Sequence, residues 1–135
     1  MQFRNEYYFL SNMYPCTIEY NGKKYPCVET AFQAQKSSDV DFIRNGCFVD
    51  GFTAKKIGRH VKLRSDWQNV KIDIMKDIIR AKFHNEQLRK MLLATGNKEL
   101  VEDNSWGDYF WGRCNGVGKN MLGKILMLIR SELRC

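Results

Sequence analysis

"RSDWQNVKIDIMKDIIRAKF", residues 64–83, has the clearest period in the chain, and its reading sets the fold class. Trp67, Val70, Ile74, Ile78 and Ala81 recur at helical spacing, widened by Met75 and Ile79, so the stretch predicts a long amphipathic helix. Ser65, with Gln68 three residues on, has the form of a capping box that satisfies free N–H groups at the helix start. Downstream, a shorter helix is expected over about 86–94, stopped by Gly96. A last helix over about 119–133 would bury Leu122, Ile125, Leu126, Ile129 and Leu133. Between these two, "ELVED" (99–103) and "YFWGRC" (109–114) read as short strands.

Upstream, Asn21-Gly22 sits inside "CTIEYNGKKYPC". Asn-Gly suits a type I′ turn, which needs positive φ at both central residues, so a hairpin is expected over about 16–26. "VETAFQAQK", residues 28–36, reads as a further helix, with Val28, Ala31, Phe32 and Gln35 on its mostly apolar stripe. Glu29, Gln33 and Lys36 fall at i, i+4 and i+7 and share one polar stripe. Residues 39–62 mix short helical patterns with Gly46, Gly51 and Gly58 and yield no clear assignment. The sum is an α+β chain: a single compact, mostly helical domain over 1–135, with a β-hairpin and a few short strands.

The totals narrow the function. At 135 residues the chain can bury a real core without staples. No apolar run nears the roughly 20 residues of a membrane span, so no membrane partner is expected. The start, "MQFRNEYYFL", lacks a signal-peptide core, and a cytoplasmic protein is the default. Five cysteines at 16, 27, 47, 114 and 135, with no C-x-x-C pair and only His60 and His84 beside them, give no zinc pattern. No metal and no cofactor are expected, and the cysteines read as reduced thiols. The net charge of +7 is spread from Arg4 to Arg134 without a block, which favours anionic ligands in general.

Two stretches carry candidate chemistry. "VEDNSWGDYFWG", residues 101–112, gathers Trp106, Tyr109, Phe110 and Trp111 among Glu102, Asp103 and Asp108. A core strand would alternate, and a plain surface loop would not hold two tryptophans. The composition suits a wall that stacks a flat ligand and hydrogen-bonds its edges, although one tryptophan is expected to be a core anchor. The Glu29–Gln33–Lys36 stripe has two readings. It is either the solvated face of an amphipathic helix or the lining of a cleft. In a cleft the carboxylate would move protons, and a desolvated lysine would act as a nucleophile. "GVGKNMLGK" lacks the P-loop spacing, and reads either as a turn into the last helix or as a phosphate-holding helix start.

The blocks "FLSNMYP", "NGKKYPCVETAFQAQK", "AKKIGRHVKLRSDW", "KFHNEQLRKMLLATGNKELVEDNSWGDYFWG" and "GKNMLGKILMLIRSEL" together closely resemble the NADAR domain family, the YbiA-like proteins. The resemblance covers nearly the whole chain, in order. It implies an N-glycosidase that breaks the bond between ribose C1 and an exocyclic amine nitrogen. One implied substrate is ADP-ribosylated guanine in DNA or RNA. The other is the set of small ribosylamino-pyrimidine phosphates of riboflavin synthesis. By the same resemblance Lys36 inherits a nucleophile role, through a Schiff base, and Glu29 moves protons. Direct water attack, with Glu29 or Asp108 stabilising positive charge, is the alternative. Trp67, Trp106 and Gly107 match base and sugar positions, with Gln33, Asp103 and Trp111 beside them. Ser11, Asn12, Gly118 and Asn120 are candidates for ribose or phosphate contacts.

The sequence departs from the family pattern at Thr30, where a histidine commonly follows the glutamate. It departs again at 108–111, which interrupt the W-G-x-G block. Both changes bear on substrate choice. A non-catalytic ADP-ribose or NAD binder and a basic DNA-binding accessory protein are the competing classes. The retained Glu29 and Lys36 argue against the first, and the lack of a basic block argues against the second. Whether an ADP-ribosyltransferase toxin is a partner is left open.

Overall fold

The computed structural model describes residues 1–135 and mixes helix and strand, with helix predominant, as expected. The chain forms two compact units, residues 12–84 and residues 1–11 together with 85–135.

In the unit of residues 12–84, β1 (Ile18–Tyr20) and β2 (Lys23–Tyr25) pair antiparallel, with Ile18 opposite Tyr25. Asn21 and Gly22 have φ of 50° and 76°, the two positive values the hairpin turn requires. Next comes α1 (Val28–Gln33), all six of whose residues are buried. It stops three residues before the expected end. The amides of Gln35 and Lys36 bond carbonyls only three residues back, so the tail tightens into a 3-10 turn.

The segment without a clear sequence signal holds α2 (Asp41–Arg44) and α3 (Gly51–Gly58). The Asp50 carboxylate caps α3 by accepting from the Thr53 amide at 2.8 Å.

The long helix forms as α4 (Trp67–Lys82), but the Ser65 capping box does not. With Trp67 as the first helical residue, Gln68 stands at the second position instead of the third and cannot reach back. Its side-chain oxygen instead accepts from Lys71 Nζ at 2.7 Å. The most buried face is also turned from the expected stripe. Trp67, Met75, Ile78, Ile79 and Lys82 are buried, whereas Val70, Ile74 and Ala81 flank them half-buried.

In the other unit a 3-10 helix (Asn5–Leu10) precedes α5 (Glu86–Ala94). The Asn85 side chain caps α5 by accepting from the Leu88 amide at 3.0 Å, and Gly96 follows it with φ 64°. The expected strands shrink to β3 (Asp103–Asn104) and β4 (Arg113–Cys114), which pair parallel. Leu100 and Val101 are buried but lie outside β3. The last helix, α6 (Met121–Leu133), begins two residues late, because Asn120 is left-handed at φ 51°. Leu122, Ile125, Leu126 and Ile129 are buried, while Leu133 is only half-buried. Arg130 joins them through hydrogen bonds to Thr95 Oγ1 and the Lys98 carbonyl, both 2.8 Å.

Candidate functional site

The polar stripe of α1 is not a solvated face. Glu29 and Gln33 are 7% and 4% exposed, and Lys36, on the turn after the helix, is half-buried. What covers them is α3. Gly51, Ala54 and Gly58 recur at i, i+3 and i+7, which puts three small residues on one face and lets the α3 backbone approach closely. A Cβ added at Gly51 would lie 3.2 Å from Glu29 Cβ, and one at Gly58 would lie 1.8 Å from Gln33 Oε1.

Within this packing the side chains form a short chain of contacts. The Glu29 amide donates to the Asn12 carbonyl at 2.9 Å, which fixes the start of α1. Gln33 Nε2 donates to Glu29 Oε1 at 2.9 Å, one turn further on. Gln33 Oε1 is buried with no hydrogen-bond partner. Lys36 Nζ donates to the Gly58 carbonyl at 3.5 Å, near the upper limit for a hydrogen bond. Burial pulls the Lys36 ammonium below the ordinary lysine value, and the positive charges of Lys55, Arg59 and Lys71 act in the same direction against the pull of Glu29. A partly desolvated amine beside a carboxylate, ringed by cations, can act as a nucleophile toward an anionic substrate.

Three further residues of this unit have structural contacts. Trp67 is buried against Phe32 of α1, with ring centroids 5.0 Å apart. Asn12 is half-buried, its Nδ2 3.7 Å from Met75 Sδ. Thr30 is fully buried and donates to the Val49 carbonyl at 2.8 Å.

In the other unit the aromatic loop uses much of its polar capacity on itself. Asp108 Oδ1 accepts from the amides of Phe110 at 3.1 Å and Trp111 at 2.9 Å. Asn104 brackets Asp108 from both sides, donating to its carbonyl at 3.0 Å and accepting from its amide at 3.1 Å. Asp103 pairs with the Met1 ammonium. Asn120 is 1% exposed; its Oδ1 accepts from the Glu102 amide and its Nδ2 donates to the Leu100 carbonyl, both at 2.9 Å. Gly118, at φ 140°, lies so close to the loop that a Cβ would be 2.4 Å from the Gly112 carbonyl oxygen. Ser11, half-buried, closes the 3-10 helix through its amide to the Tyr8 carbonyl.

The start of α6 is similarly occupied. The amides of Met121 and Leu122 donate to the carbonyls of Phe110 and Trp111 at 3.0 and 2.9 Å. These are N–H groups that a phosphate would need, so of the two readings of "GVGKNMLGK" the structural turn accounts for this geometry. The loop turns its rings outward at Trp106, 60% exposed, and Tyr109, 53% exposed, with Gly107 beside them at φ 80°. Trp111 is half-buried and packs edge-on to Phe110, centroids 4.7 Å apart.

No group of three or more His, Cys, Asp or Glu side chains could hold a metal ion, and all five cysteines are free. No helix is long and apolar enough to cross a membrane.

Sequence reasoning missed two features of the residue 12–84 unit. One is the small-residue face of α3, legible afterwards as the Gly51, Ala54, Gly58 spacing. The other is Lys82, which is fully buried with Nζ 5.7 Å from the Tyr14 ring centroid and 5.4 Å from that of Phe83. Its neighbour Ala81 had the better claim to the core by residue type.

The family model described as the NADAR domain matches residues 1–134. A riboflavin biosynthesis protein of Vibrio vulnificus is 40% identical over 131 residues. That match takes in 93% of this chain but 35% of the Vibrio protein, so the chain spans about a third of that relative's length. The N-glycosidase YbiA of Escherichia coli (strain K12) is 37% identical over 134 residues, covering 96% of this chain and 83% of that one. The NMR structure of the E. coli protein YbiA matches with a TM-score of 0.85 and 35% identity, over 99% of this chain and 84% of that chain.

Proposed function

The chain belongs to the NADAR domain family, and we propose that it is an N-glycosidase cleaving the bond between ribose C1 and an exocyclic amine nitrogen. Such a bond is a glycosylamine, whose sugar ring opens to an imine. The neutral Lys36 amine attacks C1, and the substrate nitrogen leaves as the free amine once it has gained a proton. Water then hydrolyses the Lys36 Schiff base, returning the amine and releasing the sugar aldehyde. Glu29 carries the protons. The observation that carries this reading is the depressed, half-buried Lys36 amine on the same buried stripe as Glu29.

The first substrate proposed is ADP-ribosylated guanine in DNA or RNA. It is supported by Lys55 of α3, Arg59 just after that helix and Lys71 of α4, whose charges all act on Lys36 and favour a substrate rich in phosphate. The second is a ribosylamino-pyrimidine phosphate, favoured by the name of the Vibrio relative. In their own unit, the outward rings of Trp106 and Tyr109 are proposed as a surface that stacks a flat ring, with Asp108 bracing their loop.

The test compares turnover of guanine-ADP-ribosylated DNA with that of the pyrimidine phosphates, with borohydride added to trap the Schiff base. A covalent adduct at Lys36 with either substrate supports the mechanism. Turnover with no adduct, and an active Lys36→Ala protein, would replace it with direct water attack.

A further inference from the structure

We infer that Gln33 is a positioning residue for Lys36: its side-chain oxygen and the Gly58 carbonyl together hold the two hydrogens of the neutral amine and aim its lone pair at the substrate carbon. The inference rests on Lys36 being the nucleophile, as proposed above.

The Gln33 amide has one usable orientation. Its Nε2 donates to Glu29 Oε1 at 2.9 Å, and a flipped amide would set oxygen against that carboxylate. Oε1 is therefore held in place, buried and without a partner. An acceptor left in that state has lost its water without gaining a partner, which favours any donor able to reach it.

Lys36 is that donor. An ideal Cβ at Gly58 would lie 1.8 Å from Gln33 Oε1 and 3.2 Å from Lys36 Nζ. Both atoms thus face the space left by the missing side chain, and they stand no farther apart than those distances combined. Lys36 Nζ already points one hydrogen at the Gly58 carbonyl, at 3.5 Å. A small rotation of the flexible lysine stem brings a second onto Gln33 Oε1. A neutral amine has two hydrogens and one lone pair, so two fixed acceptors determine where the lone pair points. Glycine at 58 leaves the room this arrangement needs.

The test uses Gln33→Met, which keeps length and removes the acceptor, and Gly58→Ala, which displaces the amide while leaving its chemistry intact. Thermal melting of each confirms folding. In both variants kcat should fall about 10- to 100-fold, the scale of a misaligned reacting group, with KM changed by less than about twofold. The second readout needs no substrate. Acetylation of Lys36 by acetic anhydride across pH, followed by peptide mass spectrometry, gives its titration directly.

In Gln33→Met the Lys36 titration should move further down, because a dipole that favoured the ammonium is gone. A packing role would do the reverse, as water entering the loosened site would return Lys36 toward an ordinary lysine. That upward movement, or an unchanged kcat, overturns the inference. If Gln33→Met does not fold, an unchanged kcat in Gly58→Ala overturns it equally. Failure of the underlying mechanism looks different: Lys36→Ala is then active and the wild type gives no borohydride adduct.

Discussion

The loop at 103–120 and the tail of α1 carry similar polar residue types and use them in opposite ways. In the loop, Asn104, Asp108 and Asn120 each make two or more hydrogen bonds to backbone groups. Their task is to shape a turn-rich segment that cannot satisfy its own backbone by regular pairing. Along α1, Gln33 keeps a buried acceptor without a partner, and Lys36 makes only a long contact to the Gly58 carbonyl. A polar group whose hydrogen bonds are complete within its own segment acts as structure. One that is buried and incomplete carries a cost that a packed fold would otherwise remove, and so points to chemistry.

The largest expected effect breaks this comparison directly. Lys36→Ala should lower turnover by at least about 10³-fold, as expected when a covalent step is lost. Its melting temperature should stay within about 3 °C of wild type, because a half-buried side chain with one long hydrogen bond contributes little to the fold. A steady-state assay and a thermal melt on one preparation decide it. Equal loss of activity and stability would place Lys36 with the loop residues, as structure.

The converse holds for Asn120. Asn120→Ala strands the Glu102 amide and the Leu100 carbonyl and puts alanine at φ 51°. The expected loss is about 3 kcal/mol or more in a denaturant titration. Asn120→Gly should recover about 1 kcal/mol of it, since glycine removes the strain but not the unmade bonds. Equal stability of the two variants would mean that strain contributes nothing at this position.

How much of this could be read from the sequence depends on how far each signal is local. The hairpin and α5 were legible because Asn21-Gly22 and Gly96 act through their own backbone neighbours. The helical period of α4 was legible too, but not its exposure. A stem as long as that of Lys82 packs well in a core, so residue type alone turns the buried face the wrong way. For α3 the pattern was carried by glycine and alanine, which hydrophobic periodicity does not count. The stripe of Glu29, Gln33 and Lys36 was found at its correct spacing. Its burial was not, because that depends on another helix with small residues facing it. In the loop the residue types suggested ligand contact equally for Trp106 and Asp108. Only coordinates separate an outward ring from a carboxylate engaged by its own backbone.

Lys82 sharpens the comparison from the side of stability. It sits among Tyr14, Phe83, Cys16 and Cys27, and burial lowers its ammonium to about 8. Unfolded, the same lysine titrates near its ordinary 10.5, so between those values the unfolded chain binds more protons and stability rises with pH. Below about pH 8 both states are protonated and the full penalty, about 3 kcal/mol at most, is present. Lys82→Met should therefore be more stable than wild type at pH 7, and the gap should shrink toward pH 10. Because the Cys16 thiol, raised by burial, titrates in the same range with the opposite sign, the wild-type-minus-variant difference is the quantity to measure. A gap that is constant with pH would mean that Lys82 titrates alike in the folded and unfolded states, as a hydrated ammonium does.

Trp106 carries the smallest effect and tests the loop's outward side. Its ring is 60% exposed, so truncation removes little buried surface and should leave the melting temperature almost unchanged. Stacking on a base is worth roughly 1–3 kcal/mol, so Trp106→Ala should weaken ADP-ribose in a calorimetric titration by about tenfold. Trp111→Ala provides the contrast, since Trp111 is half-buried and packs on Phe110, whose carbonyl receives the Met121 amide. That variant should lose stability first, and affinity only through it. If Trp106→Ala binds ADP-ribose like wild type, the outward rings are not the stacking surface, and the loop's polar scaffold serves shape alone. If both variants lose affinity with stability intact, the edge-packed Trp111 ring belongs to the binding face as well.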